Sequence, residues 1–220
     1  MSTKKKILAW HFIKPDKKMR YDGHTTIVAG KTYKVDASKL KLCEFGLHAS
    51  VKPLDALSFV DWEDVYICRV ELSGTIITGG DKLCASERKV LWIRKADKTL
   101  HEFACWCAEQ SLYLFEKDYP NDKRPRQAIE TKKRWLKGKA SDAEVDAAWA
   151  AARDAARDAA RDAARDAARD ATRAAAWAAT RDATRAATRA AAWAAARDAA
   201  RDATRAAQNE QLEKMLKALK

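Results

Sequence analysis

The chain has 220 residues, of which 47% are hydrophobic and 34% charged, and carries a formal net charge of +12. Its five cysteines (Cys43, Cys68, Cys84, Cys105 and Cys107) are odd in number and lack paired spacing, which argues against a disulfide scaffold and against a four-ligand zinc site. No apolar run approaches the ~18 residues of a membrane helix and no secretory leader is evident, so the expectation is a soluble, cytoplasmic protein with reduced thiols and no metal.

The charge is unevenly placed. Over residues 141–220, 12 Arg and 3 Lys stand against 10 Asp and 3 Glu, a net +2, so the first 140 residues carry +10. A basic head suits phosphate-bearing or other acidic partners, and equally suits plain solubility.

Taken in order, Ile7–Ile13 is apolar and rich in aromatic and branched residues, which predicts a buried strand. Thr25–Val28 and Thr32–Val35 predict a hairpin around Ala29-Gly30. Leu40–Cys43 is a short apolar piece leading into Phe45-Gly-Leu-His-Ala-Ser50, and Pro53–Phe59 predicts a short helix with proline in its first turn. Residues 65–73 alternate, with Val65, Ile67, Arg69 and Glu71 on one face and Tyr66, Cys68, Val70 and Leu72 on the other, which predicts a strand. Gly74 and Gly79-Gly80 mark turns around 75–78, and Lys89–Arg94 is another strand candidate. Asp97 is placed to cap a helix over 100–114, with Leu100, Phe103, Ala104, Cys107 and Leu112 forming its apolar stripe.

Two prolines and a charge run at 119–126 read as a linker, followed by a short basic helix over 128–136 that breaks at Gly138. Ser141-Asp-Ala-Glu144 is a capping-box pattern. From about Val145 to Gln208 a four-residue unit repeats, (Arg or Trp)-(Asp or Ala)-Ala-(Ala or Thr), without Gly or Pro. Ala and Arg are strong helix formers, so the pattern predicts a long helix. The expected fold is α+β: a small mixed β-sheet head with a few helices over 1–118, a linker with a short basic helix over 119–140, and a long Ala-rich helical tail over 141–220.

Each unit of the repeat advances the pattern by about 40° around a helix, so no fixed apolar face forms on a straight rod. Asp precedes Arg by three residues along much of the repeat, pairs worth a few tenths of a kcal/mol, while like charges four apart oppose them. A period above 3.6 favours a right-handed supercoil, though four lies far beyond the usual value of about 3.67. Trp149, Trp177 and Trp193 are the anomalous members, and three wet tryptophans point to a partner surface: self-association, or packing back on the head. A lone solvated helix is the alternative. Leu212, Leu216 and Leu219 with Met215 change to spacings of four and three, an amphipathic end suited to packing or to locking an oligomer. Most of the twelve Arg are matched by Asp, so nucleic-acid binding by the rod is possible but not favoured.

Two resemblances add to this. Ala9–Phe12, Leu42–Ser50, Asp55–Leu57, Cys68–Gly74, Asp81-Lys82 and Arg88, with the repeat and Gln208–Glu213, resemble an uncharacterised domain of phage and prophage genomes followed by Ala/Arg/Trp-rich repeats. That resemblance implies a phage accessory role in an infected bacterial cytoplasm. Gly46–Phe59 also resembles a segment of the poly(ADP-ribose) polymerase-like ADP-ribosyltransferases. It implies His11 at a ribose-contacting position, His48 at a ring-stacking position, Gly46 and Ser50 beside them, and NAD as cofactor. Phe12 stands where that family has Gly, and no segment clearly supplies its catalytic glutamate, although Glu87 and Glu102 are available. A carboxylate is needed there to stabilise the developing cation. Binding is therefore favoured over catalysis, without a cofactor: a basic head recognising a host or phage macromolecule, and a tail that spaces or multiplies heads. The alternatives are an ADP-ribosyltransferase-like enzyme or its inactive relative, and a nucleic-acid binder.

Overall fold

The computed structural model describes residues 6–20, 22–59, 64–178 and 183–219, and the side chains of 171–199 lie outside that description. The chain forms two compact units: residues 1–103 together with 207–220, and residues 104–206.

The first unit is built on a five-stranded sheet. Its strands are β1 (Ile7–Ile13), β2 (Thr32–Lys34), β3 (Leu47–Ala49), β4 (Tyr66–Thr78) and β5 (Leu83–Lys95). The order is β1-β4-β5-β2, with β3 also on β5, and every pairing is antiparallel rather than mixed. The alternation at 65–73 continues beyond the expected strand because β4 and β5 pair along nearly their whole lengths, joined by the turn at Gly79-Gly80. Two irregularities, between Arg69 and Val70 and between Ser73 and Ile76, let this long ribbon bend. At the second, Gly74 takes φ +76° and a side chain there would collide with Ser86 Oγ. Trp10 and Ser50 exchange backbone hydrogen bonds of 2.7 and 3.0 Å, so the far side of β3 meets the outer edge of β1.

One face of the ribbon carries the core: Ala9, Ile13, Cys68, Val70, Leu72 and Val90, joined by Tyr33, Leu47, Leu83 and Ile27. The predicted hairpin at 25–35 does not form. Thr26 bridges Lys18 instead, and the Tyr33 hydroxyl donates to the Thr26 carbonyl and accepts from the Val28 N–H, so this strand's polar groups are satisfied by a loop that buries Ile27. The apolar piece Leu40–Cys43 forms a turn, bridged from Lys41 to Phe45.

On the other face Trp10 is fully buried, edge-on to Trp92 at 5.9 Å, with the Arg69 guanidinium 4.3 Å above its ring. Helix α1 (Pro53–Leu57) begins with proline, which costs no hydrogen bond in a first turn. Helix α2 (Asp97–Asp118) starts in this unit; Asp97 does not cap its own helix but accepts the Val65 N–H at 2.8 Å, tying the helix start to β4.

The second unit contains the rest of α2, helix α3 (Arg124–Trp135) and most of the repeat, in α4 (Asp142–Ala178) and α5 (Ala183–Lys217). The stretch read as a linker is short because α3 begins at Arg124, with Pro125 in its first turn. Ion pairs flank α3 on both sides: Glu109–Lys133 and Glu116–Arg126 toward α2, Asp158–Arg124 and Glu144–Arg134 toward α4. Gly138 adopts φ +68°, and the capping box then forms as the sequence predicts. The Ser141 N–H reaches Glu144 Oε2 at 2.8 Å and the Glu144 N–H reaches Ser141 Oγ at 3.2 Å.

Along α4 the less exposed positions are Val145, Ala148, Ala151, Ala152, Ala155 and Ala159, the stripe that faces α3. Ala155 is buried because its small side chain admits close approach. Residues 160–170 are exposed all round, as the drifting period requires. Their Asp–Arg pairs at i,i+3 span 3.6 to 3.9 Å in solvent and add little stability. The repeat is thus divided between α4 and α5, and residues 179–182 lie outside the description.

Residues 207–220 return to the first unit. The apolar end at Leu212 and Leu216 is the reason: both side chains are fully buried.

Candidate functional site

The two histidines singled out by sequence come together around a third residue, Arg88. His11 sits on β1 opposite Cys68 of β4, on the same face as Ala9 and Ile13. Arg88 sits on β5 opposite Leu72 of β4 and Tyr33 of β2, on that same core face. Arg88 is 3% exposed, and its guanidinium donates from Nη1 to the His48 carbonyl at 2.9 Å and has no acceptor for Nε.

The electrostatics follow from that packing. Burial, then the charges of Arg88, His48 and Arg20, hold the His11 imidazole well below its usual range. Burial also depresses His48, against an opposing hydrogen bond from the imidazole to the Gly46 backbone carbonyl, with Lys82 and Arg88 adding to the depression. Burial pulls Arg88 down to about 10, resisted by the thiol of Cys68 and the phenol of Tyr33. Burial pushes the Cys68 thiol up to about 12, making it a poor nucleophile. Among the described residues, the groups acting on His11 are two arginines and the His48 imidazole, and those acting on Arg88 include no carboxylate.

The neighbouring positions have structural reasons for their identity. Gly46 has φ +133°, and a Cβ there would lie 2.2 Å from Cys84 Sγ and 2.7 Å from Leu40 Cδ2. His48 Nε2 accepts the Cys43 N–H at 3.1 Å, holding the turn in which Cys43 takes φ +70°. Ser50 is buried and its backbone makes the pair with Trp10. Glu102 lies on the exposed side of α2, 3.9 Å from Lys98. Glu87 accepts from Ser73 and pairs with Lys34.

At one rim, Arg20 Nη1 donates to the Phe59 carbonyl at 3.1 Å, and Lys82 Nζ sits 4.1 Å above the Phe59 ring. Sequence reading did not give Arg88 a role. An Arg between Glu87 and Lys89 in an alternating strand looks like one more surface charge, and only the cross-strand register turns it inward.

In the repeat, Trp149 is 60% exposed, with the Arg153 guanidinium 4.7 Å above its ring. Tyr113 and Leu114 of α2 are also well exposed. The side chains of Trp177 and Trp193 lie outside the described residues. Leu212 and Leu216 are buried and Leu219 is half-buried. No cluster of three metal-ligating side chains occurs among the described residues, and no described helix is long and apolar enough to cross a membrane.

No curated protein and no solved structure matches the chain, so the resemblance to the ADP-ribosyltransferase fold rests on the residues quoted for it alone. Residues 7–102, which hold the whole sheet, match a domain of unknown function, DUF7666. Residues 92–218, from the end of β5 through the repeat, match a family described as Imm-5 like putative immunity protein. Since this model spans more than half of the chain, the protein belongs to the Imm-5-like immunity family.

Proposed function

We propose that this chain works by stoichiometric binding, as an immunity protein that occupies a toxic protein and blocks it. The family match over 92–218 carries the reading. The surface chemistry agrees with it: an exposed Trp149 stacked by Arg153 brings together two residue types enriched among interface hot spots. The +10 carried by residues 1–140, more than half of it in 119–140, favours an acidic partner by steering its approach.

The repeat supplies length and presents one unit many times along α4 and α5, which suits multivalent contact or self-association. With Leu212 and Leu216 buried in the sheet unit, self-association falls to the tryptophan-bearing part of the repeat. A phage or prophage setting and a cytoplasmic location fit this role.

Growth rescue is the direct test. Each small gene beside the coding sequence is induced in a bacterial host with and without this chain. Restored growth with one neighbour, together with a co-purifying complex of fixed stoichiometry, is the expected outcome; toxicity unrelieved for every toxic neighbour overturns the proposal. Light scattering on the purified chain separates the tail roles: a strict monomer at all concentrations removes self-association.

A further inference from the structure

An arginine in an apolar core is expensive unless a counter-charge meets it. Arg88 is 3% exposed, has a single carbonyl on Nη1 and leaves Nε without an acceptor. Cys68 and Tyr33 flank it without a carboxylate, and Leu72 lies directly across the strand pair. His11 and His48 stand beside it, and neither is a counter-ion. Toward solvent, Arg20 and Lys82 are gathered on Phe59. Three permanent cations and two imidazoles thus converge, and among the described residues no carboxylate acts on Arg88 or His11.

We propose that the head carries an oxyanion site: a phosphate or carboxylate group of a ligand binds between Arg88, His11 and the Arg20–Lys82 rim, and supplies the charge that the fold leaves out. The planar guanidinium of Arg88 offers the free Nε edge for such a group, the geometry in which arginine binds oxyanions best. The imidazoles, depressed by burial, gain protons when the anion arrives, because an adjacent negative charge favours the imidazolium. The site belongs to the sheet unit and does not depend on how the repeat is used.

The full chain, labelled with 15N at histidine, tests this by NMR. Imidazole titration midpoints are followed with added inorganic phosphate, with acetate, and with chloride at matched ionic strength. The expected result is a saturable upward shift of the His11 midpoint with phosphate or acetate and none with chloride. A stronger response to phosphate identifies phosphoryl ligands, and a stronger response to acetate identifies carboxylates, including acidic side chains of a protein partner.

The Arg20→Gln, Lys82→Gln double variant alters only the rim and is expected to weaken the response roughly tenfold, the worth of one or two charge-assisted hydrogen bonds. Arg88→Met is expected to abolish it while leaving the melting temperature unchanged or higher, because an uncompensated charge has been replaced by an apolar side chain of similar length. No saturable shift, the same shift with chloride, or unaltered affinity in the rim variant each overturns the proposal. If Arg88→Met does not fold, the guanidinium is structural and the rim variant decides alone.

Discussion

The Asn209 side-chain carbonyl accepts the backbone N–H of Leu54 at 3.2 Å, joining positions 155 residues apart. Leu54 lies in the first turn of α1, where N–H groups lack partners within the helix, and Lys52 at the N-cap contributes no side-chain hydrogen bond. The end of the repeat therefore caps a helix of the head. Glu213, one turn later, acts electrostatically on Arg69, the residue stacked on Trp10. Leu212 and Leu216 bury their side chains in the same stretch.

The first prediction follows from that return. Leu216→Ala should destabilise the sheet unit by about 2–4 kcal/mol, the usual cost of emptying a buried leucine site. Urea denaturation followed by the fluorescence of the buried Trp10 and its neighbour Trp92 measures it. Removal of residues 207–220 should cost more, since the α1 cap and both leucines go together. An unchanged transition in either variant would mean that the C-terminal stretch does not contribute to the head.

Gly46→Ala is the second. The φ of +133° disfavours any side chain, and the new methyl would lie 2.2 Å from Cys84 Sγ, so both strain and overlap oppose it. A loss of about 2–4 kcal/mol is expected. Gly80→Ala is the control, since open space surrounds that position and its φ lies outside the strained range; it should cost under about 1 kcal/mol.

Third, stability should fall as the pH drops below about 6.5. His11 and His48 are held below that ordinary value in the fold, whereas the unfolded chain takes up the protons near it. The unfolded state thus binds more protons in this window, and each imidazole contributes up to about 1.4 kcal/mol per pH unit until its native value is reached. The carboxylates that are held low by hydrogen bonds, such as Glu144 and Asp122, act in a lower window, beneath 4.5 and 3.8. Thermal melts between pH 7.5 and 5 (roughly the range where unperturbed histidine titrates) read the slope, and His11→Gln should flatten it. A slope identical in the variant would show that His11 is not its source.

The thiols give a fourth test. Cys43 is exposed, whereas Cys68, Cys84 and Cys105 are buried and burial pushes Cys68 up to about 12. A thiol reagent at neutral pH should label Cys43 first, leave Cys68 untouched until global unfolding, and label all five in denaturant. Mass spectrometry of the digested adducts reads the order, and early modification of Cys68 would contradict its placement.

The sequence alone determined what depends on neighbours along the chain. The capping box at Ser141 and Glu144, the alternation of β4, the proline starting α1 and the helical character of the repeat are all local patterns, set by hydrogen bonds and side-chain periods within a few residues. So is the charge split, basic residues 1–140 against a nearly neutral repeat. Other facts came only with tertiary structure. Whether Thr25–Val28 pairs as a strand depended on where its polar groups found partners across the fold, and Lys18 and Tyr33 supplied them. Arg88 reads as a surface charge until the register against Leu72 and Tyr33 turns it into the core beside His11. Leu212 and Leu216 read equally well as an oligomer seam or an internal patch. Hydrophobic burial has no direction of its own, so only the position of the head, reached again after the whole repeat, decided which surface they cover.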